Sequence, residues 1–192
     1  MRRVYEDVWR DLPRDLEPWR FAWRRELLLE QLRPGTPWLD LGCGGGAFTA
    51  LAGGAIGVDL AEAALERARE AVPGGDFRRV GADGVLPLGH AEVDLVWCSE
   101  TLEHVPDALG MLQECRRVLT PGGRLLVTTP AHPLWRRVPI ALVAFDRHFD
   151  PQGEHLRFFT RRSLRRLLED AGFAVERLRT RHATLVALAR RA

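Results

Sequence analysis

The residues best suited to chemistry are two aspartates around a run of glycines. Asp40-Leu41-Gly42-Cys43-Gly44-Gly45-Gly46 stands where a short apolar stretch gives way to small residues. Small residues let backbone amides approach a ligand, and the start of a following helix adds positive potential. The spacing Gly42-x-Gly44-x-x-Ala47 fits the dinucleotide fingerprint, so a nicotinamide-dependent oxidoreductase is one reading. Asp40 argues against it, because a carboxylate at that place repels a pyrophosphate and suits an ammonium group. The next apolar stretch ends in Asp59, 17 residues after Gly42. An acid there can accept both hydroxyls of a ribose, although an Asp can also simply cap the following helix. A ligand with a ribose, a cationic amino-acid end and no phosphate matches both acids. S-adenosylmethionine is such a molecule.

Methyl transfer from a sulfonium is an in-line displacement, in which the cofactor supplies reactivity and the protein supplies alignment and desolvation. No nucleophile triad is required. A hydroxyl acceptor would be helped by a base within hydrogen-bond reach. Glu100, Glu103 and His104, just past an apolar run at residues 93–97, are the candidates by position. Packing or helix capping is the plainer role for His104. Residues 131–159 form a long segment expected to cover the acceptor. It holds His132, Asp146, His148 and His155, and an apolar run over residues 138–145. That run could line an apolar pocket, touch a membrane surface or pack on the core, and it is too short to span a bilayer. Tyr5, Trp9, Trp19 and Trp23 lie in residues 1–34, read as an N-terminal helical lid, with core packing as the alternative.

These groups need elements to position them. Residues 4–12 and 18–32 read as helices, the second ended by Pro34-Gly35. Residues 37–41, 55–59, 77–80, 93–97 and 124–129 read as strands. Between them, residues 47–52, 61–72 and 107–119 read as helices, with Leu109, Leu112 and Val118 on one face of the last. Pro121-Gly122-Gly123 is expected to turn the chain into the fifth strand. Thr160 should cap a helix ending at Ala171-Gly172. Residues 173–178 and 184–189 then close as a hairpin. Alternating strands and helices imply an α/β fold, a mostly parallel sheet with helices on both faces. No repeat or linker divides the 192 residues, so one domain is expected.

Composition narrows the classes. The chain has no Lys and no Asn, so all 28 basic residues are Arg. A high-GC genome explains this, and a heat-loving source would agree with the loss of thermolabile Asn. Net charge is +2, divided into about −5 before residue 131 and +7 after it. The basic end admits an anionic acceptor or surface. Arg161, Arg162, Arg165 and Arg166 form like-charged i, i+4 pairs, read as a solvated face or an anion-binding one. Three cysteines, with no metal-ligand spacing, fit a reducing compartment, and no signal peptide or membrane span is evident. A cytoplasmic location follows as the expectation, and no metal is expected.

Taken together the motifs resemble the class I S-adenosylmethionine-dependent methyltransferases, in particular the "type 11" small-molecule group. They are Leu39-Asp40-Leu41-Gly42-Cys43-Gly44-Gly45-Gly46, Gly57-Val58-Asp59-Leu60 and Gly81-Ala82-Asp83-Gly84, followed by Asp94-Leu95-Val96-Trp97-Cys98-Ser99. Leu102-Glu103-His104-Val105-Pro106-Asp107 and Leu119-Thr120-Pro121-Gly122-Gly123 complete the set. The resemblance implies a Rossmann-like sheet of seven strands, the last antiparallel. It implies that Gly42 and Gly44 line the methionine part of the cofactor, with Asp40 neutralising its amino group directly or through water. Asp59 would hold the ribose, with Leu60 against the adenine. Asp83 would accept from the adenine amino group beside Ala82 and Gly84, and the backbone of Cys98 would meet the methionine end. S-adenosylhomocysteine would be the product. The run Cys98-Ser99-Glu100-Thr101 lacks the Asn/Asp-Pro-Pro-aromatic pattern of nucleic-acid amine methyltransferases. The absence of Lys removes a lysine-based ribose mechanism, and no Pro-Cys pair suits cytosine C5 chemistry. A small-molecule acceptor is therefore expected, methylated on O, C or N. A protein that binds the cofactor without turnover is the other reading, and the sequence carries no signal for oligomeric state.

Overall fold

The computed structural model of the chain describes residues 2–14, 16–81, 83–131 and 156–192. Helix α1 (Arg2–Asp11) and helix α2 (Phe21–Leu29) precede strand β1 (Trp38–Leu41). Then come β2 (Ala55–Asp59), α3 (Glu62–Ala71), β3 (Asp76–Arg79) and β4 (Val93–Ser99). Helix α4 (Ala108–Val118), β5 (Leu119–Pro130), α5 (Arg161–Asp170), β6 (Phe173–Arg181) and β7 (Thr184–Arg191) complete the described elements. The strands form one seven-stranded sheet in the order β3-β2-β1-β4-β5-β7-β6. Strands β1 to β5 pair in parallel, and β7 runs antiparallel to both β5 and β6. This is the Rossmann-like α/β sheet with an antiparallel last strand that the motifs imply.

Strand alternation divides the core into two layers. Leu39, Leu41, Val96, Cys98, Leu125 and Val127 face one side and pack with Leu112 and Cys115 of α4 and Leu164 and Leu168 of α5. Trp38, Leu95, Trp97 and Leu126 face the other side and pack with Leu28 of α2 and with Phe48. Asp40 alternates with Leu39 and Leu41, so it falls on the side of Trp38 and α2. Helix α4 starts where expected, with the Asp107 side chain accepting from Gly110 N. Thr160 and Ser163 form a capping box at the start of α5, and Gly172 follows its end at φ 85°. Arg165 and Arg166 of α5 pair with Glu169 and Asp170 across exposed turns, which offsets the like-charge spacing.

Three expectations about elements need correction. The helix expected over residues 47–52 is one 3-10 turn, Thr49–Leu51, because Ala52 turns extended and Gly53-Gly54 end the segment. Leu109 is exposed, and the buried face of α4 is instead Ala108, Met111, Leu112, Cys115 and Val118. The turn at Pro121-Gly122-Gly123 does not precede the strand but lies within β5. Leu119 pairs with Val93 and Arg124 with Leu95, so the residues between form an excursion with Gly122 at φ 75°. His132, Asp146, His148, His155 and the apolar run 138–145 lie outside the described residues. Their flanks meet, since Ala131 and Phe159 bridge in parallel. Among the described residues, no helix is long and apolar enough to cross a membrane.

Candidate active site

A cavity of about 550 Å³ opens at the carboxyl ends of β1, β2 and β4, the position at which open parallel sheets bind ligands. One wall is Leu41, Gly42, Val58, Asp59, Leu60, Val80, Gly81 and Gly84. The opposite wall is Glu100, Thr101, His104, Val105, Pro106 and Met111. Helix α1 adds Tyr5, Val8 and Trp9, and Leu12 follows its end.

The glycine loop leaves β1 with Gly42, Gly44 and Gly46 all at positive φ. At Gly42 a Cβ would lie 2.5 Å from Thr101 Oγ1, and at Gly44 one would lie 2.6 Å from the Trp9 ring. Only glycine lets the chain pass between these side chains. Asp59 ties the loop down. Its Oδ2 accepts from Gly44 N at 3.0 Å, and its Oδ1 accepts from Ala61 N at 3.0 Å. The amide of Leu60 bonds the same carboxylate, so three backbone amides gather around it. Burial raises the Asp59 pKa, opposed by the amides of Ala61, Gly44 and Leu60. The helix-start role and the cavity-wall position therefore coexist in one carboxylate.

Asp40 lies deeper. It is buried, it is not part of the cavity wall, and its Oδ2 accepts from Thr49 Oγ1 at 2.7 Å. Burial pushes its pKa up to about 7, against the Thr49 hydrogen bond. Cys98 is fully buried between Leu41 and Val127, and burial pushes its thiol up. Asp83 folds back, accepting from Val85 N at 3.2 Å beside Gly81, and the wall there is Gly81 and Gly84. Ala82 lies outside the described residues.

The far wall carries the acids. Glu100 follows β4 with a left-handed backbone, φ 51°, and its N–H donates to Thr128 O. A non-glycine residue held there by its surroundings marks stored strain. Glu100 Oε1 is buried without a hydrogen-bond partner, and burial raises its pKa while Thr128 and Arg24 oppose the rise. Glu103 sits behind it, 1% exposed, with Oε2 accepting from Thr129 Oγ1 at 3.0 Å. Its Oε1 is 4.0 Å from His104 Nε2. Burial and the neighbouring Glu100 push Glu103 up to about 8. The His104 ring meets Tyr5 edge-on at 6.0 Å.

Two participants were missed from the sequence. Thr101 fills the space over Gly42, donating to Leu41 O and Ser99 O, and nothing in its surroundings in sequence signals this. Arg24 is buried on α2 and donates to Ser99 Oγ at 2.8 Å and to Trp19 O. Burial lowers its pKa, and the charges of Glu100, Glu103 and Asp40 oppose the fall. An arginine at the i+3 position of the stripe Phe21, Arg24, Leu28 was the available signal. Of the N-terminal aromatics, Tyr5 and Trp9 reach the cavity. Trp23 packs edge-on against His182, and Trp19 is exposed.

Comparison with known proteins fits this geometry. A methyltransferase-domain family model matches residues 8–178. The chain belongs to the class I S-adenosylmethionine-dependent methyltransferases. The family's cofactor is S-adenosylmethionine, with S-adenosylhomocysteine as product, so the nicotinamide reading of the glycine loop falls away. A ubiquinone biosynthesis O-methyltransferase of Thiobacillus denitrificans is 36% identical over 155 residues, covering 73% of this chain and 65% of that protein. The chain spans between 52% and 65% of the length of that relative and a similarly named one. A S-adenosylmethionine-dependent methyltransferase of Thermotoga maritima superimposes with TM-score 0.70 at 25% identity, covering 90% of each chain. A protein of Pyrococcus horikoshii gives TM-score 0.75 at 19% identity over 97% of this chain and 99% of its own, a likeness of fold.

Proposed function

We propose that this chain methylates the hydroxyl of a small apolar acceptor, such as a phenol, from S-adenosylmethionine. The residues of the first wall fit that cofactor. Gly42, in the wall, lets the methionine end approach the backbone, and the Asp59 carboxylate at the end of β2 suits the ribose hydroxyls. Leu60, with Val58 and Val80, offers an apolar face to the adenine beside Gly81 and Gly84. The Cys98 backbone stands near the methionine end. Asp40, behind the wall, reaches the amino group through water. When bound, the cofactor supplies an electrophilic methyl group on a sulfur that leaves as a neutral thioether.

The observation that carries the acceptor reading is Glu100. It stands in the cavity wall while its Oε1 is buried without a donor, and a turn of the side chain toward an acceptor hydroxyl relieves that cost. The proton of that hydroxyl then passes to the Glu100 carboxylate. Burial raises the affinity of Glu100 for that proton, moving it toward the hydroxyl's own. His104 holds the acceptor oxygen from the same wall, while Val105, Pro106 and Met111 exclude water around it. The name of the Thiobacillus denitrificans relative, an O-methyltransferase, agrees with an oxygen acceptor.

The test is turnover of methyl-labelled cofactor against matched phenols, anilines and aryl acetates, with products read by mass spectrometry. Methyl ethers are expected. Methylation on nitrogen or carbon would overturn the oxygen assignment. Tight binding of S-adenosylhomocysteine without turnover of any acceptor would favour a binding protein instead.

A further inference from the structure

Helix α1 is joined to the fold by a reciprocal arrangement that the reaction itself does not require. Helix α3 has no side-chain cap of its own, its N-cap being Ala61. The Glu6 carboxylate of α1 fills that place, accepting from Glu62 N at 2.9 Å and Ala63 N at 3.0 Å. In return, Arg67 of α3 closes the end of α1, donating to Leu12 O at 2.8 Å and Arg10 O at 3.2 Å. Each helix thus satisfies backbone groups that the other leaves open. Arg67 also stands 5.9 Å from the centre of the Trp9 ring, and the pair Arg14 with Glu70 is exposed.

What this joint positions is the cavity side of α1. Trp9 lies one turn from Glu6, and its ring stands over Gly44 of the cofactor loop. Tyr5, Val8 and Leu12 complete the same face. The joint also abuts the ribose acid. Asp59 holds the amide of Ala61, and Glu6 holds the next two amides of the same helix start. Glu6 is close enough to Asp59 to raise its pKa.

We infer that Glu6 is a positioning residue of the cofactor site: by holding the start of α3, it seats Trp9 against the glycine loop and sets how long cofactor and product are retained. It touches neither. This rests on the reading that the cavity holds S-adenosylmethionine. The tie is charge-assisted, because a carboxylate meets the positive end of a helix. Its strength therefore depends on the charge of Glu6 as well as its shape. Release of Trp9 uncovers the loop, and product then leaves faster.

The test uses the full chain with S-adenosylhomocysteine, measuring affinity by calorimetry and dissociation by stopped-flow tryptophan fluorescence. Glu6→Ala is expected to weaken affinity about fivefold or more, the scale of a lost helix cap, chiefly through faster dissociation. Glu6→Asp should recover part of that retention. Arg67→Ala leaves the amides of α3 capped and should loosen α1 from its other end, with the same direction of change. Asp7→Ala, on the exposed face, serves as the control. With a saturating acceptor, the Glu6 variants should raise KM for S-adenosylmethionine more than they lower kcat, which a general loss of stability would not do. Folded Glu6→Ala and Arg67→Ala proteins that release product at the wild-type rate would overturn the inference. If Glu6→Ala does not fold, Arg67→Ala and Glu6→Asp decide. Wild-type protein that fails to bind S-adenosylhomocysteine would instead overturn the cofactor reading beneath it.

Discussion

Asp59 is tied to two amides, one from the glycine loop and one from the start of α3, and still borders the cavity. Asp59→Ala is expected to weaken S-adenosylhomocysteine binding by at least ~1.5 kcal/mol, because charge-assisted hydrogen bonds are lost. Titration calorimetry measures this, and unchanged affinity would reduce Asp59 to a structural tie. Position at a strand end made Gly42, Asp59, Glu100 and His104 legible in the sequence as residues near the cavity they come to line, whereas Gly44 lies under the Trp9 ring. Depth was not legible. Asp40 and Glu103 have the same residue types as their neighbours, yet strand alternation and the turn after β4 put their carboxylates behind the wall rather than in it. Arg24 stayed hidden because its partners, Ser99 and the carbonyl of Trp19, are brought to it only by folding.

At the scale of elements, apolar runs that follow glycine or proline marked β1, β2 and the later part of β5, and the caps at Asp107 and Thr160 marked their helices. Short segments failed. Residues 47–52 have helix-forming composition but too few positions between two glycine turns to build a second turn of helix. The excursion in β5 was read as a separate turn because proline and glycine ordinarily end a strand. The β6–β7 hairpin was legible from its flanks alone, since its turn residues, His182 and Ala183, are not those a tight turn favours. Both are left-handed, at φ 50° and 58°, as in a turn that prefers Asn-Gly. Ala183→Gly should therefore raise stability by about 0.5–1 kcal/mol. A higher urea midpoint with an unchanged slope is the expected result, and a lower midpoint would mean that the Ala183 side chain contributes packing there.

Across the whole molecule, acids on the sheet's carboxyl ends are buried together with one arginine. Folding raises the pKa of Asp40 to about 7 and of Glu103 to about 8. An acid whose pKa rises on folding binds its proton more tightly in the native state. The stability it contributes is complete below its unfolded pKa and is lost as pH rises through the folded one. Melting temperature should thus fall as pH is raised from about 5 to about 9, and fall less in Glu103→Gln, which keeps an acceptor for Thr129 without the ionisable group. An identical slope in the two proteins would show that Glu103 is not the group being titrated. The joint at Asp59 bears on how any such variant is interpreted. On the proposed function one carboxylate both shapes the loop and faces the nucleoside, so a side-chain deletion at 59 mixes scaffold damage with lost recognition. Pairing that deletion with a 2′-deoxy or 3′-deoxy form of the ligand in a thermodynamic square separates the two, because only recognition depends on the sugar.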